Sequence, residues 1–70
     1  DVFTLAPRIA QITKLPEDSV VAVLTNPATA EQYGVPGPTL EGYLYPATYT
    51  FPLVVSLDSV LKTVVSTYRR

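Results

Sequence analysis

The chain has 70 residues, of which 47% are hydrophobic and 16% charged, with seven prolines and a net charge of −1. It has neither cysteine nor histidine, which excludes disulfides, thiolate or imidazole metal sites, and Ser-His or Cys-His catalysis. Its five basic and six acidic residues are dispersed along the sequence and form no basic patch for binding nucleic acid.

The size of the chain points to one segment of a longer protein. A chain this small buries only roughly 60% of its unfolded surface, so we expect marginal stability. The sequence begins at Asp1 and has no methionine, and we therefore expect residues 1–70 to be part of a larger protein. Its longest apolar run, residues 20–24, is far shorter than the roughly 20 residues of a membrane-spanning helix, so no span is expected here.

The first stretch predicts an amphipathic helix that ends near Lys14. Its apolar residues recur every three to four positions, at Val2, Leu5, Ile9 and Ile12. Because proline suits the first turn of a helix, we predict a start near Ala6, with Thr4 as the cap and Pro7 in the first turn. In the alternative, the helix begins earlier and Pro7 kinks it.

The next stretch predicts two further helices. A proline and two acidic residues at positions 16–18 are typical of a helix start, with proline at the first helical position. Residues 19–24 are rich enough in β-branched side chains to form a buried strand instead, but a strand does not need an acidic, proline-led start. Asn26 is then expected to cap one or two short turns that begin at Pro27 and end at Gly34.

The middle of the chain combines turn residues with an aromatic stretch. Glycine and proline at positions 35–38 predict a turn or an extended loop. Residues 39–51 are rich in Tyr and Thr and predict one short extended or β segment. Pro46 restricts it to an edge strand, a bent strand or two short extended pieces. In such a strand Glu41 shares one face with Tyr43, Tyr45, Ala47, Tyr49 and Phe51.

The last stretch predicts a helix with a wide apolar face. Ser56 is a good N-cap and Asp58 follows in the first turn. The apolar positions follow helical spacing towards Arg69 and Arg70, at Leu57, Val60, Leu61, Val64, Val65 and Tyr68. The predicted fold is therefore mainly α, with three to four short helices and one extended segment around residues 39–51, in a fragment of a larger α+β protein.

Glu41 is the best candidate for chemistry that the residues alone suggest. Aromatic neighbours can desolvate a carboxyl and favour its proton-donating form, and their flat faces can bind sugar rings. In the competing interpretation, which is the more common situation, the tyrosines only pack and Glu41 is a solvated turn residue. A two-carboxylate glycosidase needs a second acid at roughly 5 to 9.5 Å, and the other acids lie at predicted helix starts or exposed turns.

Residues 40–49, L-E-G-Y-L-Y-P-A-T-Y, resemble the L-E-G-[YWF]-L-F-P-D-T-Y motif of the endolytic murein transglycosylase family. These are the YceG-like proteins once labelled aminodeoxychorismate lyases. The helical run upstream, the glycine-containing connection and the following amphipathic helix are similar as well. Two features differ: Ala47 stands where the family commonly has Asp, and the later S-I-[IV]-E-K-E stretch, which looks to hold the catalytic glutamate, does not occur in these 70 residues.

The resemblance implies that the parent protein is a peptidoglycan lytic transglycosylase in cell wall biogenesis. Such a lyase is anchored in the bacterial cytoplasmic membrane and acts on its extracytoplasmic side. It cleaves MurNAc-GlcNAc bonds to 1,6-anhydro-MurNAc ends, with one glutamate that protonates the leaving oxygen and accepts the proton of the sugar's 6-hydroxyl. In this interpretation the segment lies upstream of the catalytic glutamate, and we expect it to be inactive by itself.

The resemblance also implies a set of cleft or substrate-binding residues. They are Glu41, Tyr43, Tyr45, Thr48 and Tyr49, with no catalytic residue, metal site or cofactor in the segment. The expected partners are peptidoglycan glycan strands and, for the parent protein, other proteins of cell-wall synthesis. The alternative is a non-catalytic module that binds glycan or protein through its tyrosine surface. A pyridoxal phosphate lyase, suggested by the old label, is disfavoured because Lys14 and Lys62 lie on predicted helix faces and no phosphate-binding loop exists.

Overall fold

The structure is a computed structural model that describes residues 2–43 and 54–68. Of these, Tyr43, Thr67 and Tyr68 are described by their backbone alone. Over these ranges the elements are α1 (Val2–Thr13), α2 (Glu17–Leu24), α3 (Pro27–Gln32), a 3₁₀ helix (Leu40–Tyr43) and α4 (Leu57–Tyr68). The described ranges contain no strand, and none of their helices is long and apolar enough to cross a membrane. The mainly α class is therefore confirmed.

Helix α1 begins earlier than the sequence predicts. It starts at Val2 rather than near Ala6, and Pro7 lies inside it. The proline removes one intrahelical hydrogen bond, the one that an amide N–H at position 7 would donate to the carbonyl of Phe3. The earlier start extends the apolar face by one turn, since Val2 is buried together with Ala6 and Ile9. Burial of that extra turn outweighs the missing hydrogen bond, so the predicted start near Ala6 is wrong.

The end of α1 is a left-handed turn. Lys14 has a φ of 61°, and the N–H of Leu15 donates to the carbonyl of Ala10 at 3.3 Å, which is the long hydrogen bond of a Schellman motif. Lys14 therefore terminates the helix instead of lying on one of its faces. Helix α2 begins at Glu17, and Pro16 is its N-cap residue rather than its first helical residue. The helical interpretation of residues 17–24 is confirmed against the strand.

Helix α3 has the ends that its sequence predicts. The side chain of Asn26 accepts a hydrogen bond of 2.9 Å from the N–H of Ala28, and a proline occupies the first helical position. Gly34 follows the helix with a φ of 69°, a conformation that glycine adopts without steric cost. The N–H of Val35 then donates to the carbonyl of Ala30 at 2.9 Å, so this turn is also a Schellman motif.

Helix α4 also confirms its prediction. The Oγ of Ser56 accepts a 3.1 Å hydrogen bond from the N–H of Ser59, which is the geometry of an N-cap. The apolar face points into the core, with Val60, Leu61, Val64 and Val65 buried. The side chain of Tyr68, which was predicted on the same face, lies outside the described residues.

The helices share one apolar core. Helix α1 packs mainly on α2 and also contacts α4, while the 3₁₀ helix contacts α3 and α4. Complete burial of a Leu or Val side chain contributes roughly 1.5 to 3 kcal/mol. Leu40 is fully buried and therefore anchors the 3₁₀ helix, which contacts α3 and α4. The largest fully buried side chains are Leu24, Leu40, Leu61, Val20 and Val60.

One backbone hydrogen bond joins the segment before α4 to the end of α1. The N–H of Val55 donates to the carbonyl of Ile12 at 3.0 Å. Ile12 lies in the last turn of α1, where carbonyls have no partner within the helix. The contact satisfies one of these carbonyls and fixes where the chain approaches α4.

Candidate functional site

The L-E-G-Y part of the motif forms the 3₁₀ helix, although the sequence predicts an extended segment there. Thr39 caps this turn, since its Oγ1 accepts a hydrogen bond of 3.2 Å from the N–H of Glu41. Leu40 is fully buried, whereas Glu41 and Gly42 are exposed. In a strand, Leu40 and Gly42 would instead lie on the same face. The extended prediction is therefore wrong for residues 40–43, because the cap and the buried leucine together favour a turn.

One oxygen of the Glu41 carboxylate makes a long hydrogen bond to Thr39. The hydroxyl of Thr39 donates to its Oε2 at 3.4 Å while the same Oγ1 accepts the N–H of Glu41. Thr39 is half-buried and Glu41 is exposed, so the backbone at Glu41 is fixed by the bond to Thr39 while its side chain is open to solvent. An ionised carboxylate only accepts hydrogen bonds. Glu41 can therefore receive hydroxyl or amide N–H groups of a ligand.

The other predicted cleft residues stand differently. The backbone of Tyr43 ends the 3₁₀ helix two residues after Glu41. The side chain of Tyr43 lies outside the described residues, so its predicted place beside Glu41 stays a prediction. Tyr45, Thr48 and Tyr49 lie outside the described residues, and the predicted aromatic row lies there with them.

No protein-family model matches the chain, and searches of curated proteins and of solved structures find no significant match. The likeness to YceG-like transglycosylases rests on the motif itself. The residues that the structure describes do not bring together three or more acidic side chains that could hold a metal ion.

A second polar cluster links α3 to α4, and sequence reasoning missed it. The hydroxyl of Tyr33 donates to Oδ1 of Asp58 at 2.5 Å, and Nζ of Lys62 lies 3.0 Å from Oδ2 of the same carboxylate. The four-residue spacing of Asp58 and Lys62 on α4 is a local signal of an ion pair. Tyr33 lies 25 residues from Asp58 in the sequence, so no local pattern reveals their contact.

The electrostatics of this cluster suit a structural link. Burial, aided by the hydrogen bond to Asp58, raises the pKa of Tyr33 to about 12. The hydrogen bond from Tyr33 and then that from Lys62 hold the pKa of Asp58 below its ordinary value. A general acid or base works best with a pKa near the working pH, and both shifts lead away from neutrality. The cluster therefore joins two helices and is poorly suited to proton transfer.

Proposed function

We propose that the chain is a portion of an endolytic peptidoglycan lytic transglycosylase and contributes to its glycan-binding cleft through Glu41. One observation supports this proposal most directly. Within the motif, Leu40 is fully buried while the adjacent Glu41 is exposed, and the backbone N–H of Glu41 donates to the hydroxyl of Thr39. A binding residue is most effective when the backbone and neighbours that support it are fixed.

The proposed ligand is the N-acetylated glycan strand of peptidoglycan. Each sugar of such a strand carries hydroxyl and acetamido N–H groups, which donate hydrogen bonds. The exposed end of Glu41 accepts them, and hydrogen bonds to an ionised group are stronger than those between neutral groups. Glu41 thus has the role of orienting the strand, without transferring a proton.

The proposed reaction of the parent enzyme consumes no water. The bond between C1 of MurNAc and O4 of GlcNAc breaks, and the 6-hydroxyl oxygen of the same MurNAc bonds to C1. A glutamic acid protonates the departing O4, and its carboxylate then takes the proton of the 6-hydroxyl, so the charges balance. The sequence context expected around that glutamate does not occur in these 70 residues. We therefore propose that the chain alone is inactive and that its parent works on the extracytoplasmic face of the bacterial membrane.

Binding is tested by an NMR titration of the 70-residue chain. Chitotetraose carries the acetamido groups of the proposed ligand, and cellotetraose serves as the control that lacks them. We expect chitotetraose to shift the amide signals of Glu41 and Gly42, and Glu41→Gln to weaken binding. Glu31→Gln is the matched variant, because Glu31 is an exposed glutamate on α3. Equal responses to both sugars, or none to chitotetraose, contradict the proposal.

Activity is tested on uncrosslinked glycan strands, with the products separated as muropeptides. The chain alone is expected to release no 1,6-anhydro-MurNAc ends, and such ends would refute its proposed inactivity. A longer parent chain that joins this block to an S-I-[IV]-E-K-E stretch is expected to release them, with a lower kcat/KM after Glu41→Gln.

A non-catalytic glycan-binding module is the alternative. Among the described residues, Glu41 forms its hydrogen bonds with the neutral side chain of Thr39 and not with a second carboxyl group. This favours a module that binds glycan without cleaving it. Chitotetraose binding by a parent chain that releases no anhydro ends would establish this alternative. A module that binds protein instead would leave the chitotetraose titration without effect.

A further inference from the structure

Gly42 is a glycine that the described fold does not require. It is exposed, and among the described residues a Cβ built at this position meets no atom within 4 Å. Its φ lies outside the left-handed region, unlike that of Gly34. Within residues 2–43 and 54–68, neither crowding nor backbone conformation therefore explains the missing side chain.

The local energetics even favour another residue. Glycine loses more conformational freedom than alanine when it is fixed in a helical turn. Gly42 lies inside the 3₁₀ helix, where this entropy cost applies. A glycine at an open helical position leaves the backbone bare, and a bare backbone permits the close approach of a ligand.

We propose that Gly42 is a contact residue of the glycan site, where an N-acetylated sugar lies directly against the backbone beside Glu41. This inference rests on the proposed function. The neighbouring Glu41 supplies the hydrogen-bond acceptor, and the uncovered peptide of Gly42 supplies the surface on which the sugar rests. A methyl group at position 42 would occupy the space of the sugar while meeting no atom of the described residues.

The test compares Gly42→Ala with Gly37→Ala in the 70-residue chain. Gly37 is an exposed glycine of the loop upstream of the motif, and a Cβ there makes an ordinary 3.6 Å contact with the carbonyl oxygen of Thr39. Thermal unfolding reports on stability, the amide signals of Leu40 and Ala30 report on the fold, and titration with chitotetraose gives Kd.

We expect both variants to keep the amide signals of the core and to have a Tm at or above that of the unsubstituted 70-residue chain. Gly42→Ala should raise Kd roughly tenfold or more, as expected when one carbon crowds a fitted site, while Gly37→Ala should leave Kd unchanged.

Two results overturn the inference and leave the proposed function standing: unaltered binding by Gly42→Ala, or a lowered Tm that shows the fold itself needs this glycine. If the unsubstituted chain binds no chitotetraose, the proposed function fails and the inference fails with it.

Discussion

The hydroxyl of Tyr33, at the end of α3, donates a 2.5 Å hydrogen bond to the carboxylate of Asp58, in the first turn of α4. Lys62 contacts the other oxygen of that carboxylate, so a phenol and an ammonium share one anion. The 3₁₀ helix contacts both α3 and α4. The Tyr33–Asp58 link therefore joins the two helices that support the turn bearing Glu41.

Tyr33→Phe should lower the free energy of unfolding by an amount that depends on pH. Because the pKa of Asp58 is lowered in the folded state, its contribution to the free energy of unfolding is present above pH 3.8, its ordinary pKa. That contribution is lost as the pH falls through the folded-state pKa. Because the pKa of Tyr33 is raised from 10.0 to about 12 in the folded state, its contribution to the free energy of unfolding is present below pH 10.0. That contribution is lost as the pH rises towards about 12. Urea unfolding across pH should show a constant difference near neutrality that shrinks at both extremes. A difference independent of pH would contradict the link.

Asp58→Asn separates the two causes of the Tyr33 shift. Burial is the larger cause and persists in this variant, while the hydrogen bond to a charged carboxylate is lost. The pKa of Tyr33, followed by tyrosinate absorbance with Tyr33→Phe as the reference, should fall from about 12 but stay above 10.0. A complete return to the ordinary value would show that burial has no part in the shift.

Leu40→Ala should destabilise the chain by about 3 kcal/mol, the usual cost of a cavity at a fully buried leucine. Leu40 is 0% exposed and ties the motif to the core. Glu41→Gln is the control, since a substitution at an exposed position usually changes stability by about 0.5 kcal/mol or less. Chemical denaturation measures both, and similar losses in the two variants would show that Leu40 does not anchor the turn.

Lys14→Gly should stabilise the chain by about 1 kcal/mol, because a left-handed conformation costs a residue with a Cβ that much or more. Lys14 has a φ of 61°. Gly34→Ala makes the opposite change at a φ of 69° and should destabilise by about 1 kcal/mol for the same reason. Thermal or urea unfolding of both variants measures the two effects, and shifts of the same sign would contradict the assigned backbone conformations.

Asn26→Ala should cost about 1 kcal/mol, since it removes the side-chain acceptor that caps α3. The oxygen of Asn26 lies 2.9 Å from the amide nitrogen of Ala28. Asn26→Asp keeps an acceptor at this position and should retain nearly all the stability. Equal losses in the two variants, measured by urea unfolding, would show that the cap does not stabilise the helix.

The sequence predicts helix ends best where one side chain and its adjacent backbone carry the signal. Asn26, Ser56 and Gly34 each act within three residues of their partners, so their roles can be inferred locally. The start of α1 depends instead on the burial of Val2, which needs the packed helices. A prediction from local sequence does not include this burial, so the preference of proline for the first turn places the helix start too late.

The sequence singles out Glu41 as a candidate but does not predict the local structure around it. The motif singles out Glu41, and the structure places it in solvent. The tyrosines and threonines around it favour a strand on propensity alone, whereas the hydroxyl of Thr39 and the burial of Leu40 produce a turn. Propensity scales contain neither effect. The partnership of Tyr33 and Asp58 depends on how α3 and α4 pack, and no sequence periodicity encodes it.

The hydrogen bond from Val55 to Ile12 has a consequence for the order in which the chain folds. It closes a loop of more than forty residues, and closing such a loop costs on the order of 3 kcal/mol in chain entropy. Helices α1 and α2 are neighbours in sequence and meet at a far smaller entropic cost. We therefore expect an early α1–α2 hairpin onto which α4 docks late. Folding rates should then be sensitive to substitutions between α1 and α2, and unfolding rates to substitutions at Val55.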